Sequence, residues 1–181
     1  MSPRTRLVLI FAGKAVGLLI AISFLWSFFI AMPYNRALVA ATDRVSGADI
    51  ILAADFDEEV REQNSLEEDY ICIASRQPGE ILLYGYIPGS ALHYGMLLVI
   101  SLIGATPALA RRRRFIFIPL AILIMFLVHL ITILVFARLS FAGVAAPQDL
   151  SVILFITLGT ALFPALVWGV LCYKYWWPKA V

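Results

Sequence analysis

The side chains with the widest chemical use in this sequence are two cysteines, Cys72 and Cys172, and two histidines, His93 and His129. A thiol and an imidazole act as nucleophile and base only when they lie within hydrogen-bond reach of each other. The chain organisation derived below leaves Cys72 and His93 as the pair that could meet. Isoleucines flank Cys72 in the sequence, and this pattern favours a small buried strand residue. The sequence therefore predicts no catalytic residues.

The acidic residues are the second candidates for chemistry, because 11 of the 12 lie between Asp43 and Glu80. A calcium loop needs alternating oxygen ligands and a glycine, and neither Asp57–Glu62 nor Glu67–Asp69 has this pattern. Cys-x-x-Cys, a His–Glu metal motif and a phosphate-binding glycine loop are also missing from the sequence. We expect these carboxylates to be solvated, and we expect neither a metal ion nor a cofactor.

Composition excludes an ordinary soluble enzyme. Of the 181 residues, 62% are apolar and 14% are charged, against roughly 45–50% and about 25% in soluble domains. The mean hydropathy is +0.91. Long apolar stretches alternate with charged blocks, which is typical of an integral membrane protein.

Four stretches reach the roughly 20 apolar residues that a helix needs to cross a bilayer core of about 30 Å. Each is expected to be helical, because lipid offers no partner to an open backbone N–H or C=O group. The stretches are Leu7–Met32, Ala91–Ala110, Phe115–Ala137 and Ser151–Tyr173.

Positive charge predicts the orientation of these spans, because Lys and Arg accumulate on the cytoplasmic side. Basic residues precede or enter the first span, fill the turn after the second and follow the fourth, so both termini are predicted in the cytoplasm. The opposite side receives residues 33–90, with 4 Arg and 11 acids (4 − 11 = −7), and the short loop 138–150. A cleaved signal peptide is the alternative for the N-terminus. The bulky residues at the end of the first span favour an uncleaved anchor.

The outer segment 33–90 is predicted to hold a short helix followed by strands. Leu38, Val39, Thr42 and Val45 recur at helical spacing, which indicates an amphipathic helix over Asn35–Ser46. Runs rich in Ile, Leu and Tyr predict three strands, with a turn at Gln77–Gly79 and a solvated connection over Asp55–Asp69. The strand predictions are Asp49–Ala54, Asp69–Ser75 and Glu80–Tyr86. Such a small sheet needs cover from lipid, from the short helix or from a partner protein.

The predicted fold class is therefore an all-α membrane protein: four transmembrane helices with a small α+β extracytoplasmic insertion between helices 1 and 2. Its three regions are 1–32 (tail and first span), 33–90 (outer segment) and 91–181 (the remaining three spans, the Arg-rich turn and the C-terminal tail). Trp26 and Tyr34 fall where interfacial aromatic belts are expected.

His129 is the polar residue in the middle of a predicted span, and such residues are expensive in lipid. Two interpretations stay open: a functional or proton-handling contact, or a structural hydrogen bond, either to the nearby Thr132 hydroxyl (i+3) or to a group on another helix.

Small residues recur every fourth position on the first and last spans and would allow close helix approach. They could serve the internal bundle or a partner helix. The candidate packing residues are Gly13, Gly17 and Ala21, and Ala161, Ala165 and Gly169.

The arginine tetrad, Arg111, Arg112, Arg113 and Arg114, fits two roles at the cytoplasmic face. It can fix topology, and it can bind anionic lipid head groups. Nucleic acid is not expected as a partner, because this charge lies at the membrane surface.

Several short motifs recur in an order that resembles a known family. They are Leu25-Trp26, Met32–Leu38 (MPYNRAL), Gly104–Pro107 (GATP) followed by the arginine cluster, and a span bearing His129. Over roughly residues 20–135 this arrangement resembles the small exosortase-associated membrane proteins, which are encoded beside membrane-embedded cysteine transpeptidases. The resemblance implies an accessory protein of the bacterial inner membrane without catalysis of its own.

The functional hypothesis is a non-catalytic accessory or assembly subunit of a larger bacterial inner-membrane complex, such as an exosortase-type protein-sorting system. Its expected partners are membrane lipids and a larger integral membrane protein. The first alternative is a membrane-embedded enzyme or sorting factor acting at the outer interface through Cys72, His93 and acidic residues. The second is a transporter or lipid-handling component that works as an oligomer through His129.

Overall fold

The computed structural model describes residues 2–46, 49–77, 80–142 and 150–176. The fold is mostly helical with one small sheet of three strands. Helix α1 spans Pro3–Phe29 and begins with Ser2 as its N-cap, whose side chain accepts a hydrogen bond from the Thr5 N–H (3.2 Å). Proline at the first helical position suits this start, because its missing N–H has no intrahelical acceptor there.

Helix α2 spans Ala31–Ser46 and follows α1 after a break at Ile30. The predicted helix began at Asn35, so the structure extends it by one turn toward the N-terminus. Its buried face also differs in part from the prediction, because Tyr34, Asn35, Leu38 and Thr42 are buried, whereas Val45 is 65% exposed. The helix therefore buries a stripe that is partly polar.

The sheet confirms the predicted strands. Strand β1 spans Asp49–Leu52, β2 spans Tyr70–Gln77 and β3 spans Glu80–Pro88. The order is β1-β2-β3 and both pairs are antiparallel. The predicted turn at Pro78 and Gly79 lies outside the described residues.

Side chains alternate across β2, so the two faces of the sheet belong to two apolar clusters. Ile71 and Ile73 join the core of the helical bundle. Cys72 and Ala74 face the other way, into a smaller cluster that includes Phe56 and other apolar residues between β1 and β2. The sheet is thus covered by helices on one face and by its own connection on the other.

The connection between β1 and β2 is more ordered than the predicted solvated linker. It contains a 3-10 turn, Ala53–Asp55, and helix α3, Glu58–Gln63. Phe56 and Leu66, each 8% exposed, insert into the outer cluster while the carboxylates remain at the surface. The prediction of a solvated linker missed these two apolar residues because acidic residues dominate the segment.

Three longer helices follow the sheet: α4 (Gly89–Ala105), α5 (Arg111–Phe141) and α6 (Leu150–Trp176). The second predicted span extended to Ala110, but the helix stops at Ala105. Thr106 has a non-helical ψ of 118°, as expected for a residue before proline, where the proline ring disfavours the helical region.

Within the described residues, two helices are long and apolar enough to cross a membrane: Arg4–Phe29 and Arg111–Phe141. Gly89–Ala105 and Leu162–Tyr175 are apolar but shorter. A helix of 17 residues rises about 25 Å at 1.5 Å per residue, which is less than the roughly 30 Å core of a bilayer.

Candidate functional site

Five buried side chains meet where α1, α2, α4 and α5 approach one another, close to the sheet. They are Trp26, Tyr34, Asn35, His93 and His129, and none is more than 9% exposed. We call this group the polar joint. Buried polar side chains are costly unless they find hydrogen-bond partners, so their pairing determines what the group can do.

Tyr34 and His129 connect α2 to α5. The Tyr34 hydroxyl lies 2.6 Å from Nδ1 of His129, and the ring planes are close to perpendicular at 89°. If the hydroxyl donates to Nδ1, the ring proton of a neutral imidazole is on Nε2. Among the described residues this Nε2 has no hydrogen-bond partner. His129 thus makes an interhelical hydrogen bond to Tyr34, whereas Thr132 donates to the carbonyl of Val128.

Asn35 connects α2 to α4 and to the start of the sheet. Its Oδ1 accepts a hydrogen bond from Nε2 of His93 (2.9 Å), and its Nδ2 donates to the carbonyl of Asp69 (3.3 Å). The same carbonyl accepts from the Gly89 N–H (3.1 Å), and the Asp69 carboxylate accepts from the Ser90 N–H (2.7 Å). Asp69 therefore caps the first turn of α4, and Asn35 fixes that cap to α2.

Glycine is required at position 89 for this arrangement. A Cβ atom built there would lie 2.5 Å from the carbonyl oxygen of Asp69 and closer still to the amide nitrogen of Asn35. The backbone of α4 can approach Asn35 only without a side chain at this point.

Aromatic rings enclose the polar atoms. The Trp26 ring lies 5.4 Å from Tyr34 and 5.7 Å from His93, and Phe126 lies 5.8 Å from Tyr34 on the other side. Within the described part of the chain, Trp26 Nε1 also has no hydrogen-bond partner. Trp26 and Tyr34 are therefore interior residues of the fold, not surface aromatics of an interfacial belt.

The cysteine and histidine of the enzyme alternative lie in different parts of the fold. Cys72 lies in the outer apolar cluster, while His93 packs against Trp26 in the bundle. Burial raises the pKa of the Cys72 thiol to about 12, so the thiolate needed for nucleophilic chemistry is disfavoured. Cys172 is buried in α6. Among the described residues, no group of three or more His, Cys, Asp or Glu side chains could hold a metal ion.

A second set of polar contacts ties the opposite end of α4. The carbonyl of Thr106 accepts from Nη2 of Arg114 (2.9 Å), and its hydroxyl accepts from Nε1 of Trp168 (3.0 Å). The Trp168 ring stacks on Phe11 at 5.7 Å. These contacts connect α1, α4, α5 and α6, and sequence reasoning had not identified Thr106 or Trp168 as a pair.

The small-residue faces are open. Within the described part of the chain, no atom of another element lies within 4 Å of a Cβ built at Gly13, Gly17 or Gly169, and Ala21 and Ala165 are exposed. The side chain of Ala161 lies outside the described residues. The close glycine contacts occur instead where Gly85 meets Phe136 and where Gly104 meets Leu18.

The arginine tetrad divides according to its contacts. Arg113 stacks over Tyr175 at 5.1 Å, and Arg111 lies over Phe115 at 5.9 Å. Arg114 is half-buried by its bond to Thr106, and Arg112 is exposed.

Comparison with known proteins gives no further assignment, since no family model, curated protein or solved structure matches the chain. The fold and the two sets of polar contacts define a helical protein with two candidate membrane-spanning helices and a small sheet fixed to its bundle. Sequence reasoning found His93 and His129 but missed Trp26, Tyr34 and Asn35 as their partners. The available signal was the polar pair Tyr34-Asn35, directly after the first apolar stretch.

Proposed function

We propose that this protein is a four-span integral membrane protein that acts as a non-catalytic accessory or assembly subunit of a larger membrane complex. In this proposal α1, α4, α5 and α6 cross the bilayer, both termini are cytoplasmic, and the sheet lies outside. Helix α4, with 17 residues, is then at the lower end of the roughly 17–25 residues of a transmembrane helix. The arginines at the start of α5 support this orientation through the positive-inside rule. A bacterial inner membrane and an exosortase-type sorting system are the setting that the sequence resemblance suggests.

The main observation in support of this proposal is the exposed surface of α1. In the most apolar 18-residue window of Arg4–Phe29 no residue is buried, and the mean hydropathy of that window is 2.4. Gly13, Gly17 and Ala21 lie on this exposed helix, with no neighbour within 4 Å of either glycine. In lipid, faces of small residues favour association because backbones can approach closely.

A groove on the same helix adds a second feature. It is lined by apolar side chains and two serines, namely Leu19, Ile20, Ser23, Phe24, Ser27 and Phe28. A serine hydroxyl on a lipid-facing helix favours an interhelical hydrogen bond. Both features support another transmembrane helix as the partner of α1.

The polar joint supports a structural role in preference to a catalytic one. Asn35 and Asp69 use their polar atoms to hold helices and sheet together. Such a joint keeps the outer sheet in a fixed orientation to the bundle, which is what a scaffold for a larger partner requires.

The test is affinity capture of the tagged full-length protein from native membranes solubilised in mild detergent. Gly17→Leu should abolish recovery of a stoichiometric partner, because the added side chain fills the proposed contact face, yet it should fold because position 17 is open. Val16→Leu, at an exposed neighbour about 100° around the helix, is the matched control and should capture normally. A wild-type protein that recovers no partner, or equal capture by both variants, would refute the proposal.

A second candidate function is a transporter component in which His129 handles a proton or ligand. The observation that favours it is the buried Nε2 of His129, which has no hydrogen-bond partner among the described residues. His129→Gln keeps a polar side chain but loses the titrating ring, so it should abolish transport activity of a reconstituted complex. Full activity of His129→Gln would eliminate this candidate.

A further inference from the structure

A groove at the start of α5 has an almost wholly apolar wall, and two arginines lie at one end of it. Arg111 and Arg114 line it together with Phe115, Ile118 and Pro119, and its volume is about 500 Å³. The arginines belong to the first turn of the helix, and the apolar residues belong to the next two turns. The charges thus lie at one end of the groove and the apolar surface extends from them along the helix.

Among the described residues, no acidic side chain pairs with these two arginines. Residues 81–148 contain no Asp or Glu, and the ion pairs of the described residues join Arg36 to Asp55 and Arg61 to Glu68. Arg114 donates from Nη2 to the Thr106 carbonyl, which anchors the guanidinium. Its Nε is buried and, within the described chain, has no hydrogen-bond acceptor.

The other two arginines face different surroundings. Arg113 is engaged with Tyr175, and Arg112 is exposed and is not part of the groove wall. The tetrad is therefore more than a uniform patch of charge, because two of its members share a groove.

We infer that this groove binds one anionic phospholipid of the cytoplasmic leaflet. Its phosphate lies between the guanidinium groups of Arg111 and Arg114, and an acyl chain runs along Phe115, Ile118 and Pro119. Guanidinium groups recognise phosphate through paired, charge-assisted hydrogen bonds. The lipid supplies both the negative charge that the site lacks and a chain that matches the apolar wall.

This inference rests on the membrane embedding and orientation of the proposed function, and the two can fail separately. Carbonate extraction of native membranes comes first. A chain released into the soluble fraction would overturn both proposals, whereas a chain that stays in the membrane leaves the lipid site to be tested by itself.

The direct test is native mass spectrometry of the full-length protein in mild detergent with added phosphatidylglycerol or phosphatidylcholine. We expect one phosphatidylglycerol to be retained in preference to phosphatidylcholine. Arg111→Gln should lower that retention roughly tenfold, the effect of losing one charge-assisted hydrogen bond of about 1.4 kcal/mol. Arg112→Gln removes the same charge one residue away and should have less than about a twofold effect. Equal losses in both variants would show diffuse electrostatics and would overturn the site.

A second pair of variants leaves the arginines unchanged. A change in lipid retention in these variants therefore cannot result from altered membrane insertion caused by loss of positive charge. Phe115→Ala removes part of the apolar wall, whereas Ile116→Ala truncates an exposed neighbour outside it. Phe115→Ala should weaken phosphatidylglycerol retention and Ile116→Ala should not. Indistinguishable retention by these two variants, or displacement of the lipid by an equal concentration of inorganic phosphate, would contradict a lipid site.

Discussion

Tyr34→Phe is the sharpest test of the polar joint because it removes one oxygen atom and leaves the ring. The hydroxyl is 2.6 Å from Nδ1 of His129, and His129 is only 2% exposed, so water cannot readily replace it. Interhelical hydrogen bonds in membranes average about 0.6 kcal/mol, but removing one partner of a buried pair costs about 1–3 kcal/mol. The second range applies here, because Tyr34→Phe would leave both ring nitrogens of His129 without a hydrogen bond: its Nε2 already has no partner within the described residues.

We therefore expect Tyr34→Phe to lower the free energy of unfolding by about 1–3 kcal/mol. The measurement is an SDS titration in mixed micelles, followed by the far-ultraviolet circular dichroism of the helices. Tyr94→Phe is the matched control, since Tyr94 is 67% exposed and the same change there should be nearly neutral.

A double-mutant cycle separates this hydrogen bond from general packing. In a His129→Leu background the Tyr34 hydroxyl has lost its partner, so Tyr34→Phe should then cost nothing or stabilise slightly. Additive costs in the double variant, or a Tyr34→Phe protein as stable as the wild type, would refute the reasoning.

Three further predictions concern other parts of the fold. Burial raises the pKa of Cys72 from its ordinary value near 9 to about 12. The stability that the buried neutral thiol contributes should therefore be fully present below about pH 9 and lost as the pH rises toward 12. In Cys72→Ala, the free energy of unfolding should fall less steeply over this alkaline range in a pH series of unfolding titrations. Gly89→Ala should destabilise the protein by about 1–3 kcal/mol because the new methyl group meets the Asp69 carbonyl, while Gly13→Ala, at an open helical position, should not destabilise it in the same titration. Thr106→Val should lower the midpoint of thermal unfolding, at a cost of about 1 kcal/mol for the lost Trp168 bond, and an equal shift in the exposed control Thr5→Val would contradict this assignment.

The elements of this fold were largely predictable because they depend on local patterns. Strand β2 is indicated by an apolar run around Ile71-Cys72-Ile73. The structure places it at Tyr70–Gln77, close to the predicted Asp69–Ser75. Long apolar runs marked the helices for the same reason. Their ends depended on single residues, such as Thr106 before proline, and composition alone did not locate those ends.

The candidate site was predictable only in part because its contacts join distant residues. Tyr34 and His129 are 95 positions apart, and no periodicity connects them. Trp26 and Tyr34 have the composition of an interfacial belt, and only the break at Ile30 and the packing of α2 against α5 bring them inside. Glycine spacing also did not indicate where close approach occurs, since Gly89 belongs to no small-residue repeat.

The position of α4 explains how these contacts act together. It is the shortest of the four long apolar helices α1, α4, α5 and α6. Polar contacts hold both of its ends, through Asn35 and Asp69 at the N-terminal end and through Thr106 at the C-terminal end. A helix fixed at both ends cannot tilt without breaking one set of contacts. Asp69 is also the residue directly before β2. A movement of α4 would therefore displace the sheet as well.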